Sequence, residues 1–383
     1  MKKEIICLLL ALLPGLLAGC GQEEAAEDRT IRIAVMRSAT EGMEGFRNGL
    51  SMALEDCQAE YGPLGYDIQC DIFEDRASYE EGAAIIDRIV SDGGYAAVLG
   101  SESMPITKTA AYAFQQAGIL TILPFPAYDS VTEEGGYPLV LSACFSARRC
   151  GDTLRRTAGR LEEETWAVLY HDDEFSRAEA RSFALDRKDG IAVADCAKLP
   201  DGSTALDGLM ERWTALGVEG VLLLPGGDRG FELVRDLKAR DPALTVMGDY
   251  RLDNYERMCA DPKIQAAFDG VWLPQLFDVE HGSDPGNFEQ RYDEQFGGVT
   301  DTWAIQSYNC LRMAVDTAVA CDSTEGAILA ERLRAEGYEG VMQSFRFNEN
   351  GGYECGRQLV AVIDGATGEA AEAYYIREGD GNG

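Results

Sequence analysis

The chain has 383 residues, and 66 Asp and Glu against 34 Lys and Arg give it a formal charge of -32. So acidic a surface repels nucleic acid and anionic lipid, which excludes both as partners held by charge. The length exceeds one ordinary domain and predicts about two lobes.

Lys2 and Lys3 precede an apolar stretch from Ile5 to Ala18, which closes in Leu17-Ala18-Gly19-Cys20. A charged start, a short apolar core and small residues before a cut describe an export signal, too short for a comfortable membrane span. Residues 1–19 are the expected signal peptide. Residues 20–30 are an expected tether, rich in Glu and Ala. The segment resembles a bacterial lipobox, which implies a diacylglycerol on the Cys20 thiol and a mature chain anchored to the membrane through that cysteine. No second long apolar run follows, so Cys20 is the only expected membrane attachment.

Ile31 to Met36 reads as a buried strand, and the helix after it carries Phe46, Gly49, Leu50, Ala53, Leu54 and Cys57 on one face. A strand follows near Asp67 to Phe73. Ser78-Tyr79-Glu80-Glu81 is a capping box that starts a helix with Ile85, Ile86, Ile89 and Val90 inward. Strand Ala96 to Leu99, helix Pro105 to Ala117 and strand Ile119 to Leu123 complete a β-α alternation that predicts a parallel sheet covered by helices. Alternation restarts at Trp166 to Tyr170 and runs through strands near Ile191 to Ala197, Val221 to Leu224, Thr245 to Gly248 and Val271 to Leu273. From Asn287 two long helices are expected, the second from Trp303 to Ala320. A strand near Val341 to Phe347 and closing strands Leu359 to Ile363 and Ala373 to Ile376 end the fold.

Nine cysteines remain beside Cys7 and Cys20, an odd number that cannot all pair within one chain. Cys310 and Cys321 fall on one helix about 16 Å apart along its axis, which excludes a bond between them. Cys144 and Cys150 flank a short segment and could close; the alternative is that the cysteines are small buried hydrophobes. No spacing suggests a metal or a cofactor.

The order of these segments resembles a known family, the type I periplasmic binding fold of the branched-chain amino-acid binding proteins, from about Ile31 to Ile376. The resemblance rests on Val98-Leu99-Gly100, on Gly118-Ile119-Leu120-Thr121-Ile122-Leu123-Pro124, on Asp129-Ser130-Val131-Thr132, on the turn Tyr170-His171-Asp172-Asp173-Glu174-Phe175 and on the helix Trp303 to Val319. It implies an α/β fold of two Rossmann-like lobes with parallel sheets, joined by three hinge strands near Ser142 to Phe145, Pro274 to Leu276 and Ser344 to Phe347. Lobe 1 is then 31–143 with 275–343, lobe 2 is 144–274 with 344–376, and 377–383 is a tail. Open α/β sheets bind ligands outside the carboxyl ends of their strands, so the ligand cleft lies between the lobes. The family and the lipobox together imply a monomeric, extracytoplasmic solute-binding lipoprotein of an ABC importer for an amino acid or a related small polar molecule. Its partners would be that ligand and a membrane permease.

Carried over position by position, the resemblance places Ser101, Ser103 and Met104 after the third strand and Phe125, Pro126, Ala127 and Tyr128 after the fourth at the ligand. From lobe 2 it adds Phe175, Gly226, Asp249 and Tyr250, with Asp249 where an acid meets a ligand ammonium. Each has a plainer reading. Ser101 and Ser103 can cap a helix, Phe125 and Phe175 can be lobe core, and Asp249 can be a turn residue. Arg37 could meet an anionic group or stand in an exposed loop. Two other classes of function stay open. A ligand-sensing receptor domain would use the same closure to signal to a membrane partner. A hydrolase would have to use His171 with Asp172 or Asp173, because no G-x-S-x-G, H-E-x-x-H or P-loop motif is present and no catalytic residue is expected.

Overall fold

The computed structural model describes residues 29–38, 44–101, 104–132, 134, 136–185, 190–227, 229–277, 283–284, 286–298, 300–354 and 357–377. The expected signal peptide, Cys20 and most of the tether lie outside them, as does the tail from 378.

The first half runs β1 (Thr30–Arg37), α1 (Glu44–Tyr61), β2 (Asp67–Glu74), α2 (Tyr79–Asp92), β3 (Tyr95–Leu99), α3 (Met104–Gln116), β4 (Leu120–Leu123), α4 (Asp129–Thr132) and β5 (Val140–Ser142). Its strands form one parallel sheet in the order β2-β1-β3-β4-β5. Alternate residues of β1 serve opposite faces. Ile33 and Val35 join the core under α1, while Ala34 and Met36 pack with Ile86, Ile89 and Phe114 of α2 and α3. Half of the capping box forms, with Ser78 Oγ accepting from the Glu81 amide at 3.3 Å, while the Ser78 amide donates to Asp75 O instead of to Glu81. The inward stripe of α2 is narrower than expected. Gly82, Ile86 and Ile89 are buried, but Val90, one step further round the helix, is 38% exposed.

The chain continues through α5 (Ala147–Ala158), β6 (Thr165–Tyr170), α6 (Glu174–Ala184), β7 (Ala192–Lys198), α7 (Ser203–Leu216), β8 (Gly220–Leu224), α8 (Arg229–Arg240), β9 (Thr245–Gly248), α9 (Tyr255–Cys259), α10 (Pro262–Ala267) and β10 (Trp272–Gln275). After α11 (Phe288–Phe296), α12 (Thr302–Cys321), α13 (Gly326–Glu336), β11 (Tyr338–Glu339) and β12 (Ser344–Phe345), it closes with β13 (Arg357–Ile363) and β14 (Ala370–Arg377). The second sheet has the order β14-β13-β10-β9-β8-β6-β7, and only β13 runs against the rest, pairing antiparallel with β10 on one side and β14 on the other. Trp166 and Val168 point to the α5–α6 side, and Ala167 and Leu169 to the side of Trp213, Phe231 and Leu237.

Two expectations change. The first of the two helices after Asn287 has only nine residues. The strand expected over Val341 to Phe347 shrinks to Ser344–Phe345, because Gly340 N bonds Gln343 O in a tight turn back to β11. Cys144 and Cys150 are free thiols, both buried, which agrees with the reading of the cysteines as small buried hydrophobes.

The chain leaves the first sheet after β5, returns to its helices after β10, and enters the second sheet again at β13. Before that last passage, Phe347 bridges Tyr353 and Ser142 N donates to Gly351 O, so the chain is still beside β5 at Tyr353. The passage comes after the expected Ser344 to Phe347. Phe145 and Tyr353 meet edge to face at 5.2 Å where the strands pass. Helices α11 and α12 pack on the first half. Arg291 clamps Asp56 of α1 with two bonds of 2.9 and 2.8 Å, and Gly49 of α1 lies so close to α12 that a Cβ there would sit 2.1 Å from the Ala304 carbonyl oxygen.

Candidate functional site

The loops beyond the carboxyl ends of β4 and β6 meet around one cavity, and the sequence places polar and aromatic residues in the loops at these strand ends. At the end of β1, Arg37 is buried and donates to Ser38 O. Asp75 beyond β2 accepts from Ser38 Oγ at 2.7 Å and the Ala77 amide at 2.9 Å, and Ser101 Oγ donates to it at 3.4 Å. Ser101 therefore belongs to a buried polar knot within its own lobe. Ser103 lies outside the described residues, and Met104 opens α3.

After β4 the four candidates separate. Phe125 is 5% exposed, stacked on Phe46 at 5.0 Å and set against Trp303 at 5.2 Å, an aromatic group that joins β4 to α1 and α12. Ala127 bridges Ser146 and packs with Leu123, Val131 and Val140. Pro126 is half-buried beside them. Tyr128 reaches outward, with Lys108 Nζ 4.7 Å over its ring. Burial, and then the charges of Glu174 and Asp173, raise its phenol above the ordinary value.

On the second lobe, Asp173 caps α6, accepting from the Ser176 amide at 2.7 Å and from Ser176 Oγ at 2.9 Å, and it holds His171 Nδ1 at 2.7 Å. His171 is thus tied to a helix cap. Asp172 holds Arg177 and Lys198. Gly226 is exposed, and a Cβ there would meet the His171 ring at 2.2 Å, so only glycine lets the β8 loop pass that ring. Phe175, in the first turn of α6, is 2% exposed and meets Tyr250 edge to face at 6.1 Å. Both aromatics carry the guanidinium of Arg251 near their rings, at 5.5 and 6.0 Å.

Asp249 is fully buried and caps the turn Tyr250–Leu252. It accepts from the Arg251 amide at 2.9 Å, from Arg251 Nε at 2.6 Å, and from Arg251 Nη2. The same guanidinium donates to Ser176 Oγ at 3.1 Å, reaches buried Glu179 at 3.4 Å and lies 3.9 Å from Asp173. Burial raises the Asp249 carboxyl despite Arg251, and burial with the Asp249 charge beside it raises Glu179 well above the carboxylate range. Burial thus holds Glu179 toward its protonated form, so its contribution to stability is full below about pH 4.3 and is lost as pH rises through its raised value. In urea unfolding the wild type should be less stable near pH 8 than near pH 5 from this group. The Glu179→Gln variant, neutral at both, should lose that part of the difference; an unchanged pH profile would refute the assignment.

Between the lobes lies a cavity of about 420 Å³. Its walls include Tyr128 and Ser130 from one side and Glu174, Phe175, Arg177 and Arg181 from the other. Of the candidates it brings Tyr128 and Phe175 together, with Tyr250 behind Phe175; Ser101, Phe125, Ala127 and Gly226 sit elsewhere around the strand ends. Lys108 of α3 bonds Glu174 of α6 at 3.4 Å across the two lobes. Ser130 Oγ is buried with no hydrogen-bond partner. Among the described residues, no group of three or more His, Cys, Asp and Glu is arranged to hold a metal ion, and no helix is long and apolar enough to cross a membrane.

Glu179 and Arg251 escaped the reading of the sequence. Glu179 stands at the four-residue spacing Phe175, Glu179, Phe183 on the inward face of α6, which was a usable signal for a buried acid. Arg251 follows Asp249 by two residues, but its other partners are more than seventy positions away.

The profile described as "Periplasmic binding protein" matches residues 37–367. The leucine-, isoleucine-, valine-, threonine- and alanine-binding protein of Pseudomonas aeruginosa is 24% identical over 354 residues, 88% of this chain and 90% of that protein. An ABC transporter substrate-binding protein from Desulfitobacterium hafniense, solved with Leu, superimposes with a TM-score of 0.76 at 21% identity, over 91% of this chain and all of that one. A solute-binding protein of an ABC transporter from R. palustris, solved with benzoate, gives 0.73 at 12% identity, over 92% and 98%.

Proposed function

Because the chain belongs to the periplasmic-binding-protein family, whose profile covers residues 37–367, we propose that it is the extracytoplasmic solute-binding component of an ABC importer. Its solute is an amino acid or a related small polar molecule, bound between the lobe built on β1–β5 and the lobe built on β6–β10 with β13 and β14. The observation that carries the reading is the cavity of about 420 Å³, with Tyr128 in one wall and Phe175 in the other, a volume in the usual range for small-ligand sites.

Two walls on two lobes make binding and closure one event. A solute that touches both walls stabilises only the closed form, and the equilibrium shifts by its differential affinity for that form. The Lys108–Glu174 pair alone contributes little to closure. Its side chains are 44% and 54% exposed, and such pairs contribute about 0–1 kcal/mol. The solute must therefore supply most of the drive, and a permease that recognises the closed outline reads occupancy.

A thermal-shift screen of amino acids, their amides and small organic acids tests the binding. At one hundred times its Kd a solute adds about 2.7 kcal/mol to folding stability, and a panel that gives no ligand-dependent shift would count against the proposal. The Cys20 anchor is a separate element. Cys20→Ser should release the protein into the medium with solute affinity unchanged; loss of binding together with anchorage would show that the tether shapes the site.

A further inference from the structure

We propose that the groove between α8 and α10 is a second ligand site, separate from the cavity between the lobes, which takes a small anion of two negative charges such as a phosphate monoester. Such a site is independent of solute binding in the cleft.

The groove has a volume of about 530 Å³. Arg235 and Lys238 line it from α8 and Lys263 from α10, with apolar surface from Ala239 and Ala267. Asp269 is the one acid lining it among the described residues. Three cations against one acid reverse the balance of the whole chain, where Asp and Glu outnumber Lys and Arg by 66 to 34. Both helices pack on the face of the second sheet that carries Ala167 and Leu169, whereas the cavity is lined from α6 on the other face.

A basic patch is most simply a solvated face, on which a lysine stem covers apolar surface and keeps its ammonium in water. Lys238 does not fit that description. It is half-buried, and burial pulls its ammonium below the ordinary lysine value, so the charged end itself is drawn out of water. Asp269, Asp241 and Glu163 act on it only through their charge, and none of them hydrogen-bonds to it. Each has a partner elsewhere: Asp269 accepts from the Gly365 amide at 3.1 Å, Asp241 from the Ala243 amide at 3.0 Å, and Glu163 from Thr245 Oγ1. Arg235 gives Nε and Nη2 to Asp236 at 3.0 and 2.9 Å, which leaves Nη1 for a ligand. Lys263 is exposed.

A desolvated ammonium without a counter-ion is costly, and an anion in the groove would supply the missing acceptors through charge-assisted bonds. The surroundings limit its size. Glu232, Asp236 and Asp261 surround Arg235, and Asp241 stands near Lys238. An extended polyanion or an anionic bilayer would meet these acids, whereas an anion of phosphate size sits among the three cations.

Calorimetric titration of the full mature protein with glycerol 1-phosphate at low salt, beside the monoanion acetate, tests this. The phosphate should bind with one equivalent, at least tenfold tighter than acetate, and more weakly as salt is added. Lys238→Met should weaken it at least tenfold, and so should Lys263→Glu, a charge reversal at an exposed position. Filling the cleft with the solute of largest thermal shift should leave the phosphate affinity unchanged. No saturable phosphate binding overturns the proposal and leaves the solute reading standing. Phosphate binding that neither variant weakens, or that the cleft solute displaces, places the anion elsewhere and overturns it as well. If Lys238→Met does not fold, Lys263→Glu decides.

Discussion

Arg251→Ala is expected to lower folding stability by about 3–5 kcal/mol at neutral pH, the usual cost of removing one partner from a buried charge group. Asp249 and Glu179 would stay buried at 0% exposure without their guanidinium. Burial and the Asp249 charge already hold Glu179 toward its protonated form. The variant would force Asp249 the same way, so its deficit should shrink as the medium is made acidic. Arg251→Lys keeps a charge but cannot serve Asp249, Ser176 and Glu179 with one planar fork, and should fall between the two. Urea unfolding of the three proteins at acidic and neutral pH checks this. A deficit in Arg251→Ala below about 1 kcal/mol, typical of surface pairs, would show that the group is not the buried network described.

Gly49→Leu should have an effect of similar size by a different route. In a free helix, replacing this glycine by alanine would gain about 0.5–1 kcal/mol. Here a Cβ would stand 2.1 Å from the Ala304 carbonyl oxygen and 2.3 Å from Ser307 Oγ. A backbone oxygen cannot turn aside, so α1 and α12 would have to part. They carry Phe46 and Trp303, which hold Phe125 between them at 5.0 and 5.2 Å. Gly49→Ala should therefore destabilise by about 1–3 kcal/mol against its helix propensity, and Gly49→Leu by more. A neutral or stabilising Gly49→Ala would mean that α1 and α12 are not packed at this distance.

Period and punctuation made most of the architecture legible. Ile33 and Val35 against Ala34 and Met36, or Trp166 and Val168 against Ala167 and Leu169, are strand residues buried on both faces. Ser78 and Glu81 marked a helix start that forms as read. Two misreadings have local causes. Val90 is apolar but lies just off the buried stripe of α2, and the turn after Gly340 cuts a β-rich run to two paired residues.

The site was less legible because its partners are distant in sequence. Phe125 and Phe175 were visible as aromatics after strand ends, yet their faces depend on Trp303 and on Arg251. Asp249 was visible as an acid after a strand, and what it meets is decided by Arg251 beside it and by Glu179 seventy residues before it.

The central claim is that solute is bound by closure of two lobes. Small-angle X-ray scattering of the Cys20→Ser protein, titrated with the solute that gives the largest thermal shift, tests it most directly. The radius of gyration should fall with occupancy and level off at one equivalent. Saturable binding that leaves the radius unchanged would contradict closure.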